Sequence, residues 1–195
     1  MNARTWIGFT GPGRLENVGI LNLSIMQEHK GIITMGGNPL TLEGNMVKVG
    51  DAAQDFTVLA PDLSPVKLSD YAGKVRIISV VPSIDTPVCD TQTRQFNKEA
   101  SGLPGVEILT VSCDLPFALG RFCGAAGIDK VHVCSDHRDL DFGHKYGFVI
   151  KELRLLSRGI VVVDKDGKIV HVEYVKEVTH LPDFEKALES VRKAC

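Results

Sequence analysis

Residues 80–96 read Val80-Val-Pro82-Ser-Ile-Asp-Thr86-Pro87-Val-Cys89-Asp-Thr-Gln-Thr-Arg94-Gln-Phe96. An apolar, β-branched run reaching back to Val75 stops at Val81-Pro82, and a helical pattern begins near Pro87. A strand therefore hands over to a helix across a short loop. Thr86 followed by Pro87 has the chemistry of an N-cap and a first helical residue, because the hydroxyl accepts a backbone N–H and proline has none to leave orphaned.

The same alternation extends in both directions. Strand-like runs are expected at Phe56 to Leu59, Val75 to Val81, Val106 to Val111, Val131 to Val133, Gly159 to Val163 and Ile169 to Val175. Helices are expected from near Pro116, and from Pro182 with Phe184, Leu188 and Val191 on one face. Strands alternating with helices mean βαβ units in one α/β layer structure. Upstream, Ile33-Thr-Met35, Gly36-Gly37-Asn38-Pro39 and Leu40-Thr-Leu42 predict a β-hairpin. The turn Asp164-Lys-Asp166-Gly167 has the start of a calcium loop but neither its later ligands nor its closing glutamate, so it is read as a second hairpin turn. Residues 1–25 carry Gly8, Gly11 and Gly13 without a sustained period, and residues 1–33 are expected to be an extension outside the core of a single domain spanning 34–195.

Composition narrows the class of partner. The 195 residues are 44% apolar and 24% charged, with 22 lysines plus arginines against 24 acidic residues and a net charge of −2. That balance gives no positive field for nucleic acid or anionic lipid, so neither is expected as a partner. A chain of this mass buries roughly 70% of its surface, sufficient for one core without disulfide or metal staples. Ile77 to Ile84, the longest uncharged apolar stretch near the middle, is broken by Pro82 and far shorter than the ~18 residues of a membrane span. Glycines and Pro12 interrupt the N-terminal region where a signal peptide needs an apolar run, so a cytoplasmic location is expected.

Five cysteines, Cys89, Cys113, Cys123, Cys134 and Cys195, are an odd number with no CxxC pair. In a reducing compartment that points to reactive or buried thiols rather than a disulfide framework. Cys89 falls in the first turn of its helix, where unsatisfied backbone donors and the positive dipole end favour thiolate over thiol. A small buried hydrophobe is the competing reading for Cys89, and a core packing residue the competing one for Cys123. Thr86 is both a cap and a hydroxyl able to hold a substrate oxygen, while Pro82 is either a strand terminator or a shield over the thiol. Asp114 reads as the cap of the helix near Pro116, with Gly124 and Gly127 as its stop signals.

Pro82-x-x-x-Thr86-x-x-Cys89 resembles the peroxiredoxin active-site motif, and the strings PSIDTPVCDTQTRQFN and SCDLPFALGRFCGAAGI resemble its thiol peroxidase branch, the atypical two-cysteine peroxiredoxins. The resemblance spans about Thr34 to Ala194. It implies a thioredoxin-like fold, a central mixed β-sheet flanked by helices with an N-terminal hairpin. It also implies that Cys89 is the peroxidatic cysteine and Cys123 the resolving cysteine of the same chain. Thr86 would hydrogen-bond the peroxide, Pro82 would shield the site, and Arg158 would be the cation beside the thiolate, with Arg154 as its competitor. Hydrogen peroxide or an organic hydroperoxide is the implied substrate, thioredoxin or a similar dithiol protein the implied reductant, and a homodimer the implied assembly. The chemistry requires no metal, haem or flavin.

Three cysteines depart from that pattern. Cys113 ends an apolar run and is expected to be buried and inert, although it could compete for a sulfenic acid; Cys134 reads as a strand residue, and Cys195 as exposed. His132 beside Cys134 lacks the further ligands of a metal site. Two other functions compete with the peroxidase: a general disulfide oxidoreductase, which normally needs CxxC, and a peroxide-sensing relay that passes oxidation to a partner protein.

Overall fold

The computed structural model describes residues 26–100 and 102–195, so the glycine-rich residues 1–25 lie outside it. The chain opens with the expected hairpin, β1 (Glu28–Met35) and β2 (Asn38–Glu43). Its turn is tighter than the sequence suggests: Met35 pairs with Asn38, leaving only Gly36 and Gly37 between them, both at positive φ (58° and 80°). Such a two-residue turn needs residues that tolerate the left-handed region. The boundary expected after residue 33 falls inside β1, where Ile33 is 1% exposed and packs with Leu42, Ile150 and Val178. Residues 28–33 therefore belong to the folded body, because the hairpin needs both strands to bury that apolar cluster.

The other elements follow as β3 (Thr57–Leu59), β4 (Pro65–Lys67), β5 (Val75–Val80), α1 (Pro87–Ala100), β6 (Val106–Ser112), α2 (Pro116–Ala126), β7 (His132–Ser135), α3 (Asp141–Tyr146), β8 (Val149–Ile150), β9 (Leu155–Leu156), β10 (Gly159–Val163), β11 (Ile169–Tyr174) and α4 (Phe184–Ala194). A seven-stranded sheet runs in the order β11-β10-β5-β6-β7-β3-β4, parallel from β5 through β7 and antiparallel on both flanks. This is the mixed sheet of a thioredoxin-like fold. Every residue of β5 and β10 is buried, which explains why, Arg76 apart, they are apolar or small: both faces are covered, and Arg76 donates to the Asp164 carbonyl. Asp164–Gly167 is the hairpin turn between β10 and β11, not an ion loop, with Asp164 N–H donating to the Lys168 carbonyl at 2.9 Å.

A second, antiparallel sheet of order β1-β2-β8-β9 joins the N-terminal hairpin to the segment just before β10. The hairpin thus sits beside the residues leading into Arg158. Gly159 lets this region close up: a Cβ there would lie 2.0 Å from the Glu173 carbonyl oxygen and 2.6 Å from the Phe148 ring. Only glycine admits that approach.

Candidate active site

Helix α1 starts at Pro87 as its cap chemistry predicts. The Thr86 hydroxyl oxygen accepts the Cys89 backbone N–H at 3.3 Å, and the same hydroxyl donates to Cys89 Sγ at 2.8 Å. The Thr86 hydroxyl therefore caps the helix and at the same time faces the Cys89 sulfur. Cys89 is 0% exposed. Its sulfur faces Arg158, whose Nη2 donates to Sγ at 3.1 Å. Two donors, one of them a full cation, are thus aimed at one sulfur.

Arg158 is 2% exposed, and a buried guanidinium requires partners for its donors. It has three: Nε donates to the Val178 carbonyl at 2.7 Å, Nη1 to Gln92 Oε1 at 2.7 Å, and Nη2 to the sulfur. Gln92, wholly buried on α1, is itself fixed by donating to Ser79 Oγ on β5 at 2.9 Å. Arg154, the alternative cation, lies exposed in the turn between β8 and β9 at φ +56°. Pro82 is buried and lines an apolar cavity of about 300 Å³ together with Met35, Thr86, Val88, Arg158 and Val178. The cavity is bordered by both groups that hold the sulfur.

Asp114 departs from expectation. Leu115 precedes the first turn of α2 without a side-chain cap, and Asp114 turns instead toward the loop before α1. Its carboxylate accepts Ser83 Oγ–H at 2.7 Å, the Ile84 N–H at 2.8 Å and Ser112 Oγ–H at 2.7 Å. With Pro116 already at the first position of α2, the loop amide of Ile84 is the donor in greater need. Gly124 is likewise not a stop: α2 runs on to Ala126 and closes at Gly127, at φ +64°.

All five cysteines are free thiols. Cys123 is half-buried near the end of α2, and burial pushes its thiol up from the ordinary range. It lines a separate cavity of about 290 Å³ with Pro61, Val131, Val133 and Cys134. Burial pushes the thiols of Cys113 and Cys134 up to about 12, with nearby Asp136 adding to the effect at Cys113. Both are therefore protonated at neutral pH. Cys195 is exposed. His132 pairs with Glu107 at 2.8 Å, and among the described residues no cluster of three metal-ligating side chains occurs. No helix among them is long and apolar enough to cross a membrane.

Gln92, Asp114 and the Val178 carbonyl are the parts of this constellation that sequence reasoning missed. Gln92 carried the only signal, a polar residue one helical turn after Cys89 on the side facing the sheet.

The chain resembles known proteins over the same region. A family model described as Redoxin matches residues 48–188. The thiol peroxidase of Halalkalibacterium halodurans is 60% identical over 162 residues, covering 83% of this chain and 98% of its own. That of Bacillus subtilis is 57% identical over 160 residues, covering 82% and 96%. A peroxiredoxin-like protein from Aquifex aeolicus superimposes with a TM-score of 0.80 at 38% identity, over 86% of this chain and 99% of that one. A thiol peroxidase from Chromobacterium violaceum gives 0.75 at 18% identity, over 83% and 95%, and supports the fold alone.

Proposed function

The chain belongs to the redoxin family, among its thiol peroxidases, and from that premise we propose that Cys89 reduces hydrogen peroxide and organic hydroperoxides, with Cys123 as its resolving partner. The observation that carries the reading is the buried Cys89 sulfur held between the Thr86 hydroxyl and the Arg158 guanidinium. The thiolate attacks one peroxide oxygen, the O–O bond breaks, and the leaving alkoxide or hydroxide takes a proton to give alcohol or water. Cys89 becomes a sulfenic acid. The same N–H and O–H donors that hold the sulfur stabilise charge as it moves onto the peroxide oxygens. The apolar walls of the adjoining cavity, with Pro82, Val88 and Val178 among them, suit the carbon tail of an organic hydroperoxide.

Resolution follows when the Cys123 thiol displaces water from the sulfenic acid, forming a Cys89–Cys123 disulfide. A dithiol protein of the thioredoxin type then returns both sulfurs to thiols by exchange. A homodimer and a reducing, cytoplasmic compartment are further parts of this reading. The relay alternative gains no support, since the relatives described above carry the name of an enzyme.

The test is disulfide mapping by mass spectrometry after one equivalent of cumene hydroperoxide is added to the reduced protein. A dominant Cys89–Cys123 bond is expected. Unreacted Cys89 would overturn the reading, and a bond to Cys113 would overturn the assignment of Cys123.

A further inference from the structure

Glu177 stands in the strap between β11 and α4, outside the constellation around Cys89, yet its carboxylate is clasped by five donors. Thr34 Oγ1–H reaches it at 2.8 Å, and the Gly36 and Gly37 N–H groups at 2.9 and 3.1 Å. Thr179 supplies its N–H at 3.1 Å and its hydroxyl at 2.7 Å. Five donors saturate a carboxylate, which has about four lone-pair sites. They hold the Glu177 carboxyl far below its ordinary range, so it stays ionised. Three of the five come from the N-terminal hairpin, and two backbone bonds run alongside: Thr34 N–H to the Lys176 carbonyl at 2.6 Å and Val178 N–H to the Thr34 carbonyl at 2.8 Å.

The residue next to Glu177 supplies the Val178 carbonyl that fixes Arg158 Nε. The residue before the hairpin turn is Met35, which with Val178 and Thr179 lines the apolar cavity. The clamp therefore joins the two segments that form one wall of that cavity and one anchor of the cation.

We propose that Glu177 is a positioning residue of the peroxidase site: it welds hairpin to strap so that Val178 holds Arg158 against Cys89 and keeps the cavity wall closed. This inference rests on the peroxidase reading above.

Glu177→Gln tests it, because an amide NH2 on either side meets a backbone N–H where the carboxylate accepted one. The pH midpoint of Cys89 alkylation is expected to rise. Single-turnover oxidation by cumene hydroperoxide, read by quenched mass spectrometry, should slow by about tenfold, the scale of one charge-assisted hydrogen bond. Hydrogen peroxide, having no tail to seat, should be slowed less. Glu177→Asp, which keeps the charge on a shorter arm, should fall between. A lower thermal midpoint with unchanged alkylation profile and unchanged rates would overturn the proposal, leaving Glu177 a purely structural residue. If Glu177→Gln does not fold, Thr34→Val removes one donor and should shift both readouts in the same direction; no shift overturns the proposal equally. Wild-type protein whose Cys89 ignores peroxide would overturn the peroxidase reading itself, whereas normal wild-type rates with unaffected variants would overturn only the role of Glu177.

Discussion

Arg158 makes three directional bonds at once, to a carbonyl, an amide oxygen and a sulfur, and its planar fork is what allows that. Lysine would keep the charge but present one ammonium on a flexible stem, unable to hold Gln92 and Val178 while facing the thiolate. Arg158→Lys is therefore expected to slow the bimolecular reaction of Cys89 with hydrogen peroxide by about 10- to 100-fold. A thioredoxin-coupled assay at limiting peroxide measures it, and a rate within twofold of wild type would refute the geometric account. At this scale Pro82, Thr86 and Cys89 stand together in one short motif of the sequence, whereas Arg158 is singled out only through the family resemblance. Gln92 and Glu177 were not legible there: their partners Arg158 and Gly36 lie 66 and 141 positions away, and only the tertiary fold brings them together. Burial also separates the cysteines. Cys113 and Cys134, with thiols pushed up to about 12, carry almost no thiolate at neutral pH.

Among the elements, α1 depends on two supports at its start. Thr86 caps it from within, and Asp114 reaches across from the end of β6 to hold Ser83 and Ile84 in the loop before it. Asp114→Asn would keep one acceptor oxygen and turn an NH2 toward either the Ser83 hydroxyl or the Ile84 N–H. It is expected to cost about 1–3 kcal/mol in urea unfolding, the scale of one unsatisfied buried partner. Peroxide reactivity should fall with it, because the loop carries Thr86; full stability would sink the idea. The long strands and helices were readable from periodicity, but β4, β8, β9 and α3 were not. Each spans two to six residues, too few for a period to repeat. Asp114 misled for a related reason. Its sequence position before Pro116 matches a cap, yet proline at the first helical position leaves less for a cap to satisfy, and the competing amide of Ile84 lies 30 residues upstream.

For the molecule as a whole, the proposed catalytic cycle poses a mechanical problem. Cys89 is held beside Arg158, next to one cavity, while Cys123 lines a different one against β7, so the proposed bond needs the two sulfurs to leave those places. Helix α2 is the element suited to yield. It contains Gly120 and Gly124 in its interior, each about 1 kcal/mol less favourable there than alanine. Neither is demanded by packing: a Cβ at Gly124 would meet nothing within 4 Å, and one at Gly120 would meet only the Pro61 side chain, at 3.4 Å. Gly124→Ala should therefore stabilise α2 without a clash and make its opening harder. Formation of the Cys89 sulfenic acid, which needs no unwinding, should keep its rate. Formation of the disulfide should slow by about fivefold, the equivalent of 1 kcal/mol. The sulfenic acid then waits longer for Cys123, and excess peroxide carries more of it to the sulfinic acid. Intact-mass measurement of the sulfinic-to-disulfide ratio at rising peroxide reads this directly. An unchanged ratio would mean that opening of α2 does not limit resolution, and that the sulfurs meet through movement of α1 instead.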